Sequence, residues 1–245
     1  MAFSTLNFFG ASIGKATAVN ILLPDQGVDP FPVLYLLHGL SDDYTIWHRR
    51  TSLERYVADL PLIVCMVDGG RSFYCNDDRP SGMKYEDHMF KDIVGLMDRT
   101  FRTIPHRRGR AIAGLSMGGY GSFMLALRHP DLYSVACSHS GALGFARPVT
   151  PWRPEIAAML KGLSPTRYDI FRLATKLKKS KAKLAMRMDV GTEDFLLEQN
   201  RAFHRHLDKL KIAHEYAEYG GTHNWEYWDT HIRQTLDFVM AHLGK

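Results

Sequence analysis

The stretch "RAIAGLSMGGYGS", residues 110–122, sets one serine, Ser116, inside Gly-x-Ser-x-Gly, with Gly114 and Gly118 two positions to either side. A serine hydroxyl is a weak nucleophile. It does chemistry only where a base takes its proton and donors stabilise the charge that follows. The apolar residues before Ser116 read as a strand, and "YGSFMLALRHPD" after it reads as a helix stopped near Pro130. That context makes the pattern a nucleophile elbow, a strained strand-to-helix turn that lifts the serine oxygen above a sheet edge. Glycine suits positions 114 and 118 because a side chain there would crowd the neighbouring strand or helix. The Met117 amide, at the helix start, faces the developing negative charge. A chance Gly/Ser turn is the plain alternative, and the flanking strand and helix weigh against it.

The partners must come from further along the chain, in the order serine, acid, histidine. "MDVGTEDFLLEQN" supplies Asp189, Glu193 and Asp194 at or just after a strand end, and "EYGGTHNWEYWD" supplies His223 in a glycine-bounded loop before the last helix. Asp189 reads as part of the strand itself. Glu193 and Asp194 compete, and Asp194 is preferred, one residue before the helical apolar run begins; for Glu193 the plain alternative is a first-turn helix acid. His223 is then the base, with Nε2 toward Ser116 and Nδ1–H toward the acid. Upstream, "LYLLHGLSDDYTIWHRR" places His38-Gly39 at the end of an early strand, so the Leu40 amide offers a second donor to the oxyanion. His38 precedes the serine, the wrong point in the chain order for the base, and reads as a hydrogen-bonded structural residue. His204 and His206 stand two apart on a helix and face different ways. With no His-Glu-x-x-His and no Cys-x-x-Cys, no metal site is expected.

To bring these residues to one rim, the chain needs a particular scaffold. Short apolar runs at 32–39, 61–70, 110–116, 133–141, 184–191 and 214–221 alternate with helical patterns, and "ATAVNILLP" (16–24) reads as an antiparallel edge strand. Met89, Ile93, Met97 and Phe101 share a helix face, as do Phe203, Leu207 and Leu210. Trp228, Ile232, Leu236, Val239 and Leu243 mark the last helix. The alternation predicts an α/β fold, a mostly parallel sheet with helices on both faces and its site beyond the strand carboxyl ends. The span 146–183, with four prolines followed by "KLKKSKAK", is a candidate lid or pocket wall. Its lysines read as a solvated helix face.

The 245 residues suit one domain, 1–245, and the formal charge of +5 is too dispersed to name an anionic partner. Cys65, Cys75 and Cys137 do not pair in sequence, so a reducing compartment is expected. Neither a signal peptide nor a run long enough to span a membrane is read from the sequence, which predicts a cytoplasmic protein. A homo-oligomer stays open.

Taken together, "YLLHGLSDDYTIW", "IAGLSMGGYGSFMLAL", "SHSGAL", "GTEDFL" and "GGTHNWEYWD" resemble the esterase D-like esterase family of the α/β-hydrolase superfamily, nearest its tributyrin (acetyl) esterase branch. The resemblance covers nearly the whole chain, in the correct block order. It implies Ser116, Asp194 and His223 as the catalytic triad, the Leu40 and Met117 amides as the oxyanion hole, and no cofactor. The activity implied is hydrolysis of short-chain acyl esters. S-formylglutathione hydrolysis, feruloyl or polysaccharide-acetyl ester hydrolysis, and transacylation are alternatives within the class. Trp47, Tyr74 and Trp225 are candidates to line the substrate pocket. A non-catalytic binding protein on the same scaffold would be expected to lack a triad residue. A nucleic-acid binder founded on "KLKKSKAKLAMR" is the weakest reading, and it predicts steeply salt-dependent binding.

Overall fold

The computed structural model describes residues 1–147, 152, 154–180 and 182–244. Eight strands form one sheet: β1 (Ala2–Gly10), β2 (Lys15–Leu23), β3 (Val33–Leu37), β4 (Ile63–Val67), β5 (Arg110–Leu115), β6 (Val135–His139), β7 (Ala185–Gly191) and β8 (Glu215–Tyr219). Their order is β1-β2-β4-β3-β5-β6-β7-β8. From β4 to β8 every pairing is parallel, while β2 joins both β1 and β4 antiparallel. Thus β2 is not the edge, contrary to the sequence expectation. The edge is β1, which pairs with β2 along its whole length and exposes alternate residues, so its apolar content is diluted.

The apolar runs are explained by burial on both faces. On β3, Val33, Tyr35 and Leu37 face one hydrophobic layer and Leu34 and Leu36 the other. The helix Trp225–His242 and the short helices Ile46–Arg50 and Leu53–Val57 cover the second face, burying Trp228, Ile232, Leu236 and Val239. The helices Met117–Arg128, Ile170–Lys179 and Leu197–Lys209 cover the first, where Phe123, Phe171 and Phe203 meet edge to face or tilted. Met89, Ile93 and Met97 are fully buried on the same layer, and a π-helical turn, His88–Ile93, absorbs their four-residue spacing.

Within the span 146–183, Pro148 and Pro151 and one lysine of "KLKKSKAK", Lys181, lie outside the described residues. The rest contains helices Pro154–Leu160, Pro165–Tyr168 and Ile170–Lys179. Its middle is held by Glu86, a buried carboxylate that meets Arg128, His129, Arg167 and the Tyr168 hydroxyl. Burial alone would raise this carboxyl, yet the hydrogen bonds from His129 and Arg128 bring it down to about 2. On Ile170–Lys179 the apolar residues Phe171, Leu173 and Leu177 are buried, while Lys176, Lys178 and Lys179 are exposed.

Candidate active site

Strand β5 ends at Leu115, and Ser116 turns the chain into the helix Met117–Arg128 with φ +54° and ψ −114°. That left-handed backbone is strained for a serine, costing about 1–3 kcal/mol unless its surroundings hold it. Here the Ser116 N–H donates to the His139 carbonyl (2.9 Å), and the Ser116 carbonyl accepts from the Ala142 N–H (3.0 Å). The elbow also needs its glycines. A Cβ on Gly114 would lie 2.6 Å from the Gly118 carbonyl, and one on Gly118 would lie 2.6–2.7 Å from the carbonyl oxygens of Leu37 and His38. Both clashes are with backbone, which cannot swing aside.

His223 reaches Ser116 from the loop after β8. Its Nε2 lies 3.0 Å from Ser116 Oγ, and its Nδ1 lies 2.8 Å from Asp194 Oδ2. With the proton on Nδ1, the Nε2 lone pair faces the serine O–H. The other carboxylate oxygen of Asp194 accepts from the Leu196 N–H at 2.8 Å, and its side chain is fully buried. Glu193, its neighbour, is exposed. Two loops meet to make this contact: the Thr192 N–H donates to Tyr219 and the Glu193 N–H to Gly221 (2.8 and 3.0 Å). A Cβ on Gly191 would lie 2.3 Å from the Gly221 carbonyl, so only glycine lets the loops approach this closely. Trp228 packs edge-on against the His223 ring at 4.9 Å, and Phe195 lies over it at 4.6 Å.

The turn after β3 is held just as firmly. His38, fully buried, accepts the Gly69 N–H on Nε2 (2.9 Å), so its proton sits on Nδ1 and is donated to the Gly39 carbonyl (2.6 Å). The Gly39 carbonyl and the Leu40 N–H belong to one planar trans peptide and point in opposite directions. By pinning the carbonyl, His38 aims the Leu40 N–H the other way. Both backbone groups of His38 meet the hydroxyl of Tyr74, which accepts from the N–H (2.9 Å) and donates to the carbonyl (3.2 Å). His38 is therefore structural, as its chain position suggested.

Ser116 and His223 open into a cleft of about 950 Å³, which Leu40 and Met117 also line. Trp225 is among its lining residues. Trp47 and Tyr74 are not. Trp47 is buried behind Trp225, edge-on at 5.4 Å, with its Nε1–H on the Leu37 carbonyl (3.0 Å). Tyr74 is spent on His38, and its neighbour Phe73 lines the cleft instead. Phe73 and Tyr74 both have left-handed backbones, φ +52° and +58°, which swing one ring toward the cleft and the next into the core. Trp152, Ile156 and Phe195 also line the cleft, from the 146–183 span and the loop after β7. No motif marks them; their only signal is position beyond a strand carboxyl end.

Beneath the site His139, Asp189, Arg187, Tyr227 and Thr235 form a buried network. Asp189 accepts from His139 Nδ1 (2.9 Å), from the Tyr227 hydroxyl (3.0 Å) and from Arg187. Burial pushes the Asp189 carboxyl up, but the charges and hydrogen bonds of His139 and Arg187 outweigh it and hold it low. The network ties the start of helix Trp225–His242 to β6 and β7, and so backs the His223 loop. His129 stands at the C-terminal end of the elbow helix, where its Nε2 meets Glu86 at 2.9 Å. The three cysteines are buried and free. Among the described residues, no helix is long and apolar enough to cross a membrane.

Sheet order, elbow and site define an α/β-hydrolase-type esterase, a carboxylic ester hydrolase. The chain belongs to the family described as "Putative esterase", which it matches over residues 10–239. A curated relative, the acetyl esterase of Caldicellulosiruptor saccharolyticus, is 27% identical over 98% of both chains. Among solved structures, the fluorophosphonate-binding serine hydrolase FphF of Staphylococcus aureus superposes with a TM-score of 0.86 at 28% identity, covering 97% of this chain and 98% of that one. The S-formylglutathione hydrolase FrmB of the same organism gives 0.85 at 28% identity, with the same coverage.

Proposed function

We propose that the protein is a serine esterase of short-chain acyl esters, acting through an acyl-enzyme as one catalytic domain over 1–245. The observation that carries this reading is the unbroken chain from Ser116 Oγ through His223 to Asp194, at 3.0 and 2.8 Å, opening into the cleft. Ser116 attacks the ester carbonyl while His223 Nε2 takes its proton. The tetrahedral oxyanion sits between the Leu40 and Met117 amides, each donor supplying about 2.7–4 kcal/mol in the transition state. His223 then gives the proton to the leaving alcohol, and water repeats the sequence in reverse. Asp194 holds the imidazole in the tautomer this requires. No metal or cofactor takes part in these steps.

His38 then acts as a positioning residue for the oxyanion hole. His38→Ala is expected to lower kcat by about 10- to 100-fold, part of the 10²–10³ that a whole donor provides, while KM changes little. His38→Asn, whose amide N–H can still reach the Gly39 carbonyl, recovers part of the loss. Equal kcat in the two variants would assign His38 to packing alone.

The acyl preference rests on the family, on the relative named acetyl esterase, and on buried apolar residues in the cleft, among them Phe73, Met117, Ala142 and Ile156. A second reading, a glutathione-thioester hydrolase, is favoured by Arg50 and Arg71. Both line the cleft, beside the acids Asp42, Glu155 and Glu226, and bring positive charge to where an anionic leaving group would sit. Both readings are tested by measuring kcat/KM for p-nitrophenyl acetate, butyrate and octanoate, methyl ferulate and S-formylglutathione. Acetate or butyrate is expected to exceed octanoate at least about tenfold, about 1.4 kcal/mol of transition-state discrimination. A preference for octanoate or the ferulate would overturn the assignment of acyl class. A dominant rate with S-formylglutathione would replace it with the second reading.

A further inference from the structure

We propose that His204, Asp208 and His214 form a binding site for a divalent transition-metal ion of the Zn²⁺ class, remote from the cleft and independent of the esterase reading. His204 and Asp208 lie four apart on the last turns of the helix Leu197–Lys209, and so share one face. His214 comes from the chain just before β8. One nitrogen from each histidine and one carboxylate oxygen all lie within 4.8 Å of one another. In sequence, His204 and His206 stand two apart and offer no shared metal geometry. Those two do diverge: His206 Nε2 goes to the Phe171 carbonyl (2.9 Å) and His204 Nδ1 to His214 Nε2 (2.8 Å). The third donor lies ten residues away, across a turn.

Two observations point to a cation there. First, His214 is prepared as a ligand. Its side chain is 4% exposed, and its Nδ1–H is donated to the Ile212 carbonyl at 2.8 Å, which leaves the Nε2 lone pair facing the cluster. Metal-binding histidines are commonly oriented by such a second hydrogen bond. The His204 ring is fixed as well, stacked on Tyr216 at 4.2 Å. Second, the cluster is short of protons. The His214 proton is used on Ile212, so the neutral His204 imidazole has one proton to share. Given from Nε2 to the Asp208 oxygen at 3.3 Å, it leaves the His204 Nδ1 lone pair facing the His214 Nε2 lone pair at 2.8 Å with nothing between. A positive charge resolves that opposition.

Two imidazoles and a carboxylate are a common donor set for zinc, with water completing a tetrahedron. At ligand distances of about 2.0–2.2 Å the donors would stand about 3.3 Å apart, so the 2.8 Å histidine contact opens by a few tenths of an ångström. Such an ion would clamp the end of the helix to the start of β8. Its role is then structural, and esterase turnover does not depend on it.

The test uses untagged full-length protein stripped with a chelator and titrated with ZnCl₂, followed by calorimetry and by thermal unfolding. The wild type is expected to bind one Zn²⁺ per chain and to unfold at a higher temperature with the ion present, because a ligand that binds only the folded state stabilises it. His204→Ala and Asp208→Asn, both at partly or largely exposed positions, should each weaken binding at least about tenfold and abolish most of the thermal shift. Hydrolysis of p-nitrophenyl acetate by the stripped proteins should be the same in all three. Absence of saturable binding in the wild type below about 1 mM Zn²⁺ would overturn the proposal. So would unchanged affinity in both variants, since other histidines would then hold the ion.

Discussion

Ser116→Ala should fold like the parent and lose about 10⁶-fold in kcat on p-nitrophenyl acetate, the scale of loss when a serine nucleophile is removed from a working triad. The two halves of this expectation have separate causes. The elbow is held by the backbone bonds of Ser116 to His139 and Ala142 and by the glycines around it, none of which involves the hydroxyl. Alanine meets the same left-handed strain as serine, so the thermal midpoint should move by no more than a few degrees. The hydroxyl, by contrast, is the only group proposed to bond to the acyl carbon. What remains is catalysis by binding and by the two oxyanion amides, about 10³–10⁴ over water. A variant that keeps a tenth of parental turnover would remove Ser116 from the mechanism.

Asp194→Asn should cost about 10⁴-fold in kcat, with KM little altered, through the tautomer of His223. The present carboxylate accepts on both oxygens, from the Leu196 N–H and from His223 Nδ1. An asparagine that keeps its carbonyl on Leu196 turns its NH₂ toward His223 Nδ1. Nδ1 must then be the acceptor, the proton moves to Nε2, and no lone pair faces Ser116. Glu193→Gln is the matched control, since Glu193 precedes Asp194 but is exposed. Its kcat should stay within about twofold, the range of an ordinary surface change. If the Glu193 variant lost activity and the Asp194 variant did not, the acid would have to be reassigned.

Most of this arrangement is legible in the sequence because its determinants are local. Continuous apolar runs encode strands buried on both faces, and the helix stripes of Phe203/Leu207 and Ile232/Leu236/Val239 encode which side meets them. Gly114 and Gly118 encode a backbone approach so close that a Cβ on either would lie within 2.6–2.7 Å of a neighbouring carbonyl. What was not legible depends on the three-dimensional path of a loop. Strand β1 carries a half-exposed alternation that hides it beside the buried strands. The sequence holds both Phe73 and Tyr74, but only two successive left-handed residues decide which ring meets the cleft. Trp47 shares composition with Trp225, yet a hydrogen bond to Leu37 draws it behind its partner. His214 reaches His204 by folding back across a turn, which no helical spacing reports.

The most direct measurement treats the active protein with a phosphonate ester that forms a stable bond to an activated serine, then locates the adduct by intact mass and peptide mapping. We expect one adduct per chain, on the peptide carrying Ser116, rising in step with loss of activity, and labelling slowed sharply by His223→Ala. Complete inactivation with the label on another residue, or full activity with Ser116 blocked, would contradict the account.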